Sequence, residues 1–385
     1  MIKPIPLNIG VGVSSFEEHP EYVDLGYRPE NTGRYWNYHF TVRNWKYPTD
    51  PKTDHPYIID GFAPNLNKEL HIGHLRNLAV ATGLSRIFPQ AKMVAMLGAA
   101  VGIEPWAVAQ LDEWYQWVGY LPDLYYDNQL PDNLNTVDGE GEQVGCKVWM
   151  GPKGPVIVTR SDGRFTYAHH DLCFAQLVGP THYVTGAEQK EHFDSLGMGH
   201  KHLPMGLVLG ADGKKVSSRN GGAMTAKEAL QMVADHLQDT PEPESLAWNV
   251  IAWNFLKTSR GKNVMFNPEQ WTKIDSPGMY ISYAYARLDS ALGDLQGDES
   301  QITEADLPLL GTCSYLNYYY ERATELLDSS PLANYALDLA KAVTTAYHAE
   351  KVQGGRSGCQ FAMRHAHNTL GKTMSLLGMK PLKRV

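Results

Sequence analysis

The chain contains 385 residues and carries a formal net charge of -8, with 43% hydrophobic and 20% charged residues. This length allows two or three domains with a sizeable core, and the composition is that of an ordinary globular protein. No apolar run is long enough to cross a bilayer, and the N-terminus lacks a signal-peptide core. We therefore expect a cytoplasmic protein without a membrane partner. The negative charge disfavours a general nucleic-acid coat but does not exclude a local basic face.

Cysteine and histidine spacing argues against a metal or disulfide framework. The four cysteines lie far apart without a CxxC pair: Cys146, Cys173, Cys313 and Cys359. This pattern indicates a reduced intracellular chain. Five histidines are close in sequence but lack HExxH spacing: His169, His170, His192, His200 and His202. We interpret them as surface or supporting side chains and predict no bound metal.

The first part of the chain divides into an extension and an α/β segment. Residues 1–56 show no clean period, which predicts an N-terminal extension of irregular structure. Residues 57–60 then predict a short buried strand, followed by a loop and a helix that begins near His71. The apolar face of this helix recurs at helical spacing: Leu75, Leu78, Ala79 and Thr82.

The middle of the chain alternates between strands and helices. A segment near 98–155 is rich in Asp, Asn, Gly and Pro towards its end, which predicts a short surface insertion. Three short strands are predicted at 156–159, 182–185 and 206–210, and one helix at 165–177. This alternation predicts a Rossmann-type α/β domain with a parallel sheet over residues 57–235.

After about residue 225, helical patterns dominate. Four helices are predicted at 225–237, 244–257, 278–295 and 333–352. The last carries a long apolar stripe: Leu332, Tyr335, Ala336, Leu339, Ala340, Val343, Ala346 and Tyr347. Pro241 and Pro243 mark a boundary, so residues 236–385 predict an all-α domain.

The first motif that carries chemistry is His71-Ile72-Gly73-His74, at the start of a helix that follows a strand. Backbone N–H groups and the positive end of the helix dipole meet there, which favours phosphate binding. The two histidines share one helix face and can donate hydrogen bonds to phosphate oxygens, while Gly73 leaves room for a ligand. Alone, this four-residue match is a weak signal.

The second motif lies between glycines at 210–222 and contains Lys215, Ser217 and Arg219. A mobile loop with cationic and hydroxyl donors suits closure over a triphosphate as charge moves onto pyrophosphate. An isolated Lys-Lys pair would more simply be a solvated basic turn. The order of the two motifs favours the phosphate-binding interpretation.

With both motifs in this order, the chain resembles class I aminoacyl-tRNA synthetases, whose signatures are called HIGH and KMSKS. Further segments resemble arginyl-tRNA synthetases in particular. Residues 60–76 resemble that family's acid-x-x-x-PN-x-x-K-x-x-HxGHLR pattern, and 161–172 its SDG-x-x-TY-x-x-x-D segment. Residues 184–193 resemble its GADQ-x-x-HF segment, and 280–287 its Y-x-x-YAHAR segment. The resemblance covers roughly residues 57–385, with a gap near 98–155.

The resemblance implies a set of site residues and the cofactors ATP and Mg²⁺. It implies an ATP site at His71, Gly73, His74, Lys215, Ser217 and Arg219. It implies an arginine site at Asp60, Asn65, Tyr167, Asp171 and Gln189. The second lysine of KMSKS is Ser218 here, and we expect Lys68, just before HIGH, to supply the missing charge, so that His71, His74, Lys68 and Lys215 form the catalytic set.

The resemblance also implies that the helical domain binds the tRNA anticodon. Four residues would contact tRNA: Tyr283, Arg287, Asn334 and Tyr335. Without the resemblance, these aromatic helices predict a plain bundle, whereas with it base stacking or phosphate pairing is favoured. We expect the family's N-terminal domain, which contacts the tRNA elbow, to be missing, and the family's GDWGTQ segment is not visible.

Three hypotheses follow. In the first, the chain ligates arginine to tRNA(Arg) through an arginyl-adenylate, as a monomer. In the second, a paralogue activates arginine for an acceptor other than tRNA, which the short N-terminus favours and the helical domain disfavours. In the third, the chain is a non-catalytic RNA-binding relic, against which the intact His71, His74, Lys215 and Asp171 count.

Overall fold

The computed structural model describes residues 58–61, 64, 66–67, 69–88, 91–98, 122–216 and 223–385, together with the backbone of four earlier strands. Those strands are β1 (Lys3–Leu7), β2 (Gly10–Ser15), β3 (Arg28–Asn31) and β4 (Trp36–His39). They form an antiparallel sheet in the order β1-β2-β4-β3. The prediction of irregular structure is wrong for these segments, because they are short and carry no period that reveals strand pairing.

The next part of the chain forms a parallel sheet, a small antiparallel sheet and the helices beside them. The elements are β5 (Ile58–Asp60), α1 (Ile72–Ile87), β6 (Lys92–Leu97), β7 (Asp123–Tyr126), β8 (Val137–Asp138), β9 (Lys147–Gly151), β10 (Gly154–Thr159), α2 (Tyr167–Val178), β11 (Thr181–Gly186), α3 (Lys190–Leu196), β12 (Lys201–Met205) and β13 (Val208–Leu209). Five strands pair in parallel in the order β12-β11-β5-β6-β7. The predicted Rossmann-type sheet is thereby confirmed.

Several local predictions need correction. Parts of the predicted insertion form strands: β7 forms an edge of the parallel sheet, while β8, β9 and β10 form an antiparallel sheet of their own. The strand predicted at 156–159 exists as β10, but among the described strands it pairs with β9 rather than with the parallel sheet. The strand predicted at 206–210 corresponds to the short β13, which lies outside the parallel sheet, whereas β12, just before it, joins that sheet and was not predicted. Strand partners depend on long-range contacts that a local pattern does not contain.

The remainder of the described chain is almost entirely helical. Its elements are α4 (Ala226–Asp235), α5 (Pro243–Leu256), β14 (Val264–Met265), α6 (Pro268–Trp271), α7 (Pro277–Leu292), α8 (Leu307–Ser314), α9 (Leu316–Leu326), α10 (Ser330–Ala349) and α11 (Ser357–Leu376). The four predicted helices correspond to α4, α5, α7 and α10. None of the described helices is long and apolar enough to span a bilayer.

One hydrophobic core joins the parallel sheet to the helices. It runs without a break from Ile59 in β5 to Leu370 in α11. Buried indoles add hydrogen bonds across it, since Trp248 Nε1 donates to the Gly378 carbonyl and Trp253 Nε1 to the Ala333 carbonyl, each at 2.8 Å. The later helices therefore pack against α1 and support it. The predicted domain boundary near residue 235 stays a prediction.

Candidate functional site

A cleft of about 650 Å³ opens where β5, β6, β11 and β12 end. Ligands of open α/β sheets bind at this carboxyl edge, so the cleft is the candidate site. Eight residues that the sequence predicted for the site line this one cleft: Asp60, His71, Gly73, His74, Tyr167, Asp171, Gln189 and Lys215. Four others lie outside the described residues: Asn65, Lys68, Ser217 and Arg219.

The two histidines of the first motif cap their own helix. His71 is the N-cap of α1, and its Nδ1 accepts a hydrogen bond from the Gly73 N–H at 3.1 Å. In return, His74 Nδ1 accepts from the His71 N–H at 3.1 Å. The imidazole rings stack with their centroids 3.9 Å apart. This reciprocal arrangement satisfies N–H groups that the first helical turn leaves without helical partners.

This capping geometry determines where the imidazole protons sit. Because each Nδ1 accepts a hydrogen bond from a backbone N–H, a neutral ring carries its proton on Nε2. Burial is the main cause that lowers the pKa of His74 to about 3, helped by nearby His71. Burial also lowers the pKa of His71, with Lys215 acting in the same direction. Near neutral pH both rings are therefore neutral Nε2–H donors.

The structure gives a steric reason for a glycine at position 73. A Cβ at this position would lie 2.8 Å from Cε1 and 2.9 Å from Nδ1 of His71. Such contacts are shorter than van der Waals packing allows, so a side chain here would displace the capping imidazole. Glycine thus permits the His71 ring to fold back onto its own helix.

Main-chain hydrogen bonds connect the two motifs. The Ile72 N–H donates to the Met224 carbonyl at 3.0 Å, and the Ala226 N–H to the Leu70 carbonyl at 2.8 Å. The Met224 N–H donates to the Val216 carbonyl at 3.3 Å, next to Lys215. The ends of the Lys215 loop are therefore tied to the start of α1, and the Lys215 side chain is exposed at the cleft.

Arg76 supports this arrangement from inside the protein, although the sequence analysis assigned it no role. Its side chain is 1% exposed and donates to four carbonyls: Gly206 at 2.7 Å, Leu207 at 3.2 Å, Arg260 at 3.3 Å and Lys262 at 2.6 Å. The guanidinium is suited to this task because it presents a rigid fork of donors. Arg76 thus connects α1 to the backbone that follows β12 and to the segment before β14.

A second part of the cleft lining, which we call the acidic end, consists of Asp60, Asp171, Tyr183 and His192. Asp60 is 1% exposed, and its Oδ2 accepts from the Met96 N–H at 3.4 Å. Asp171 is 6% exposed and lies 2.5 Å from His192 Nε2. Burial raises the pKa of Tyr183 well above its usual value, and the nearby carboxyls of Asp171 and Asp60 add to the effect. Two buried carboxylates beside a neutral phenol form an environment that favours a cationic ligand.

Two further carboxylates line this cleft that were not predicted for the site. Asp127 follows the edge strand β7, and Glu188 lies next to the predicted Gln189. His170 and His192, which the sequence predicted as surface or supporting side chains, also line the cleft, and His192 supports Asp171. The adjacency of Glu188 to Gln189 was a usable signal. Asp127 had none, because its segment was interpreted as an insertion.

A second cavity, of about 1000 Å³, lies between α7, α10 and the last residues of the chain; we call it the basic groove. Tyr283 and Arg287 both line it. The Arg287 guanidinium lies 3.9 Å from the ring centroid of Tyr347 and 5.9 Å from that of Tyr283. Such cation–π contacts hold the arginine in place while leaving its edge available to phosphate.

The other two predicted tRNA contacts lie elsewhere. Tyr335 is 1% exposed, and its hydroxyl donates to the carbonyls of Thr312 and Cys313, each at 3.1 Å. A core side chain cannot stack on a base, so its prediction is corrected to a packing role. Asn334 is exposed, but its amide donates to Lys257 and Ser330. It is separated from Tyr347 by roughly 20 Å along α10 at the rise of an α-helix.

Residues 281–385 match the family model of the DALR anticodon binding domain. The match includes the part of α7 that carries Tyr283 and Arg287, all of α10 and all of α11. The basic groove therefore lies almost wholly within the matched segment.

The chain is similar to arginine–tRNA ligases. It is 27% identical over 266 residues to the enzyme of Clostridium botulinum, covering 58% of this chain and 46% of that one. It is 30% identical over 227 residues to the enzyme of Exiguobacterium sibiricum, covering 50% and 40%. The chain thus spans about half the length of the curated relatives it matches. Thermus thermophilus arginyl-tRNA synthetase shares the fold, with a TM-score of 0.72 at 18% identity, covering 99% of this chain and 96% of that one.

Proposed function

We propose that this chain, a relative of the class I arginyl-tRNA synthetases, uses ATP to join arginine to tRNA(Arg) through an arginyl-adenylate. The observation that carries the proposal is the division of the cleft into two chemical ends. His71, His74 and Lys215 lie near one another and can donate to phosphate, whereas the buried carboxylates Asp60 and Asp171 lie near Tyr183. An arginyl-adenylate carries both matching groups, a phosphate and a cationic amino acid.

In the first step the arginine carboxylate attacks the α-phosphorus of ATP, and pyrophosphate leaves. His71 and His74 donate from Nε2–H to phosphate oxygens, and Lys215 neutralises charge on the leaving pyrophosphate. Lys68, Ser217 and Arg219 would add further hydrogen-bond donors to the phosphates. Mg²⁺ would accompany ATP as its counter-ion, held mainly by phosphate oxygens and water. The protein contributes positioning and charge stabilisation rather than a covalent intermediate.

Selection of arginine depends on the acidic end. A guanidinium presents paired N–H donors that match a carboxylate, and Asp171 is held in place by His192. Tyr167 lies one helical turn before Asp171 and is exposed beside it, which suits packing on the flat guanidinium. Gln189 and Asn65 would bind the α-amino and carboxylate groups. Lysine, with a compact ammonium, makes a poorer match to this arrangement.

In the second step the terminal ribose hydroxyl of the tRNA attacks the adenylate and AMP leaves. The basic groove, with Tyr283 and Arg287, would hold the anticodon end through stacking and phosphate contacts. We expect a monomer that acts in the cytoplasm. The remaining predicted contact, Asn334, would touch the tRNA at a separate point.

The alternative acceptor has no specific support. The similarity of residues 281–385 to an anticodon-binding domain favours tRNA over a peptide or small molecule. The geometry disfavours the non-catalytic hypothesis. An inert descendant would have no need to keep helix-capping histidines and buried carboxylates in one cleft. Both remain distinguishable by experiment.

The test is charging of total tRNA with each of the twenty labelled amino acids, in the presence of ATP and Mg²⁺. We expect arginine alone to be charged. His74→Ala and Asp171→Ala should abolish charging, whereas Asp162→Ala, an exposed carboxylate in the turn before α2 that pairs with Arg164, should not.

Other results would redirect the proposal. Arginine-dependent AMP release without charging would identify another acceptor. RNA binding without any ATP turnover would identify the non-catalytic hypothesis. Charging of a different amino acid would contradict the assignment of Asp60 and Asp171 to a guanidinium.

A further inference from the structure

We propose that Asp132, His169 and Cys173 bind a zinc ion, at a site separate from the cleft. Side chains on a helix turn by about 100° per residue, so His169 and Cys173 lie about 160° around α2 from Asp171. None of the three residues lines the cleft. The site is therefore a second feature of α2, independent of the proposed reaction.

The ligand atoms are already close to one another. His169 Nε2 lies 3.5 Å from Cys173 Sγ and 3.8 Å from Asp132 Oδ1, and all three atoms fall within 4.8 Å of one another. Tetrahedral zinc, with bonds of about 2.0 Å to nitrogen or oxygen and about 2.3 Å to sulfur, separates its ligand atoms by about 3.3 to 3.6 Å. The histidine–cysteine distance already matches, and a small movement of Asp132 completes the set.

The surroundings hold two ligands firmly and leave the third adjustable. His169 is 4% exposed and Cys173 is 1% exposed, one helical turn apart. The Phe165 ring stacks on the His169 imidazole, with centroids 3.7 Å apart. The Asp132 side chain is 58% exposed, so it can adjust to the ion and admits a water molecule as fourth ligand.

The donor set selects a class of ion. Imidazole and thiolate ligands favour zinc over magnesium or calcium, which require oxygen ligands. On binding, the Cys173 thiol releases its proton to solvent and bonds to the metal as a thiolate. The thiolate and the Asp132 carboxylate together balance the 2+ charge of the ion. The site is thus neutral overall in a partly buried position.

A bound ion would fasten the segment around Asp132 to α2. That helix also carries Asp171 and His170. The metal would therefore stabilise the wall of the cleft without contacting a substrate bound there. No metal was predicted from the sequence, because these residues do not have a standard metal-ligand spacing. The third ligand comes from a different segment, and only the packing of that segment on α2 brings it near.

The test uses the full chain, stripped with a chelator and then dialysed against zinc, with metal content measured by mass spectrometry. We expect one zinc per chain and a higher midpoint of thermal unfolding in its presence. Cobalt substitution should produce a near-ultraviolet thiolate-to-cobalt absorption band. Cys173→Ala should abolish this band, and the exposed Asp132→Asn should weaken zinc binding by more than about tenfold without affecting the apo fold.

Cys146→Ala is the matched control, since Cys146 is a partly exposed cysteine outside the cluster. It should bind zinc as the unmodified chain does. The proposal is overturned if the unmodified chain takes up no zinc. It is also overturned if Asp132→Asn and Cys173→Ala retain the same uptake as Cys146→Ala, because the ion would then lie elsewhere.

Discussion

The cleft and the basic groove carry opposite charge within one acidic protein. Four carboxylates line the cleft, against a single lysine among its described lining residues: Asp60, Asp127, Asp171, Glu188 and Lys215. The groove is lined by four cations, and its described lining includes no acidic side chain: Arg287, Lys351, Lys383 and Arg384. An average charge of -8 conceals both surfaces. Local charge, rather than the average, indicates a cationic ligand at one and a polyanion at the other.

The largest expected effect comes from removing charge at the acidic end with Asp171→Asn. Loss of one partner of a buried charge pair costs about 2–5 kcal/mol, so kcat/KM for arginine should fall roughly a thousandfold. tRNA affinity should not change, because the groove is untouched. The measurement is aminoacylation kinetics at varied arginine concentration, beside a tRNA binding titration.

Asp194→Asn is the matched control for that variant. Asp194 is on α3 and pairs with Lys190 and Lys153, but it does not line the cleft. Its replacement should leave kcat/KM for arginine within a few-fold. Equal losses of kcat/KM in both variants would mean that Asp171→Asn lowers activity through a general effect on the fold rather than through loss of a contact with arginine.

The next largest effect is expected at His74. Comparing His74→Asn with His74→Ala separates its helix-capping role from its proposed phosphate-binding role. An asparagine oxygen can still accept the His71 N–H, but the variant lacks the Nε2–H donor. We expect kcat to fall about a hundredfold in both variants. Only His74→Ala should also lose about 1 kcal/mol of unfolding free energy, as is typical of a lost cap.

Aminoacylation rates and urea unfolding at pH 7.5 measure both quantities. An Asn variant with full activity would contradict a phosphate-binding role for His74. An Asn variant as unstable as the Ala variant would mean that the asparagine oxygen does not replace the cap.

A smaller effect is expected in the basic groove, from Arg287→Ala. Loss of one phosphate contact should raise KM for tRNA about tenfold and lower the slope of log affinity against log salt by about one. Arg322→Ala is the control, because Arg322 is an exposed arginine of α9 that pairs with Glu325 outside the groove. Filter binding of tRNA across salt concentrations measures the slope. The same slope in all three proteins would place RNA elsewhere.

The smallest effect concerns stability against pH. The pKa of His74 is about 3 in the folded protein and 6.5 in a free histidine, so the unfolded chain binds more protons between these values. Its contribution to stability is present above pH 6.5 and is lost progressively as the pH falls towards 3. Between pH 7 and pH 6 the unmodified chain should lose about 0.7 kcal/mol more than His74→Asn.

Urea unfolding at both pH values measures this difference. A parallel loss in the two proteins would show that His74 does not contribute to the acid sensitivity. It would leave the kinetic predictions for the same residue unaffected.

Sequence patterns predicted the structural features that depend on residues close together in the chain. The start of α1 followed from a strand, a loop and a helical period, and the burial of Leu332, Leu339 and Val343 followed from the stripe along α10. The same stripe contained Tyr335, whose burial outweighs the tRNA contact that the resemblance implied. The first four strands and β6 carried no period distinct enough to predict them.

The sequence by itself determined the order of the two motifs, the resemblance to arginyl-tRNA synthetases, which the comparisons confirm, and eight of the residues that line the cleft. Tertiary structure alone decided which hydrogen bonds those residues make. The tautomers of His71 and His74 depend on backbone donors, and the link made by Arg76 depends on four distant carbonyls. The basic groove likewise gathers cations from three separate segments. Hydrogen-bond partners and surface charge depend on which segments meet in space, and a linear pattern does not contain that information.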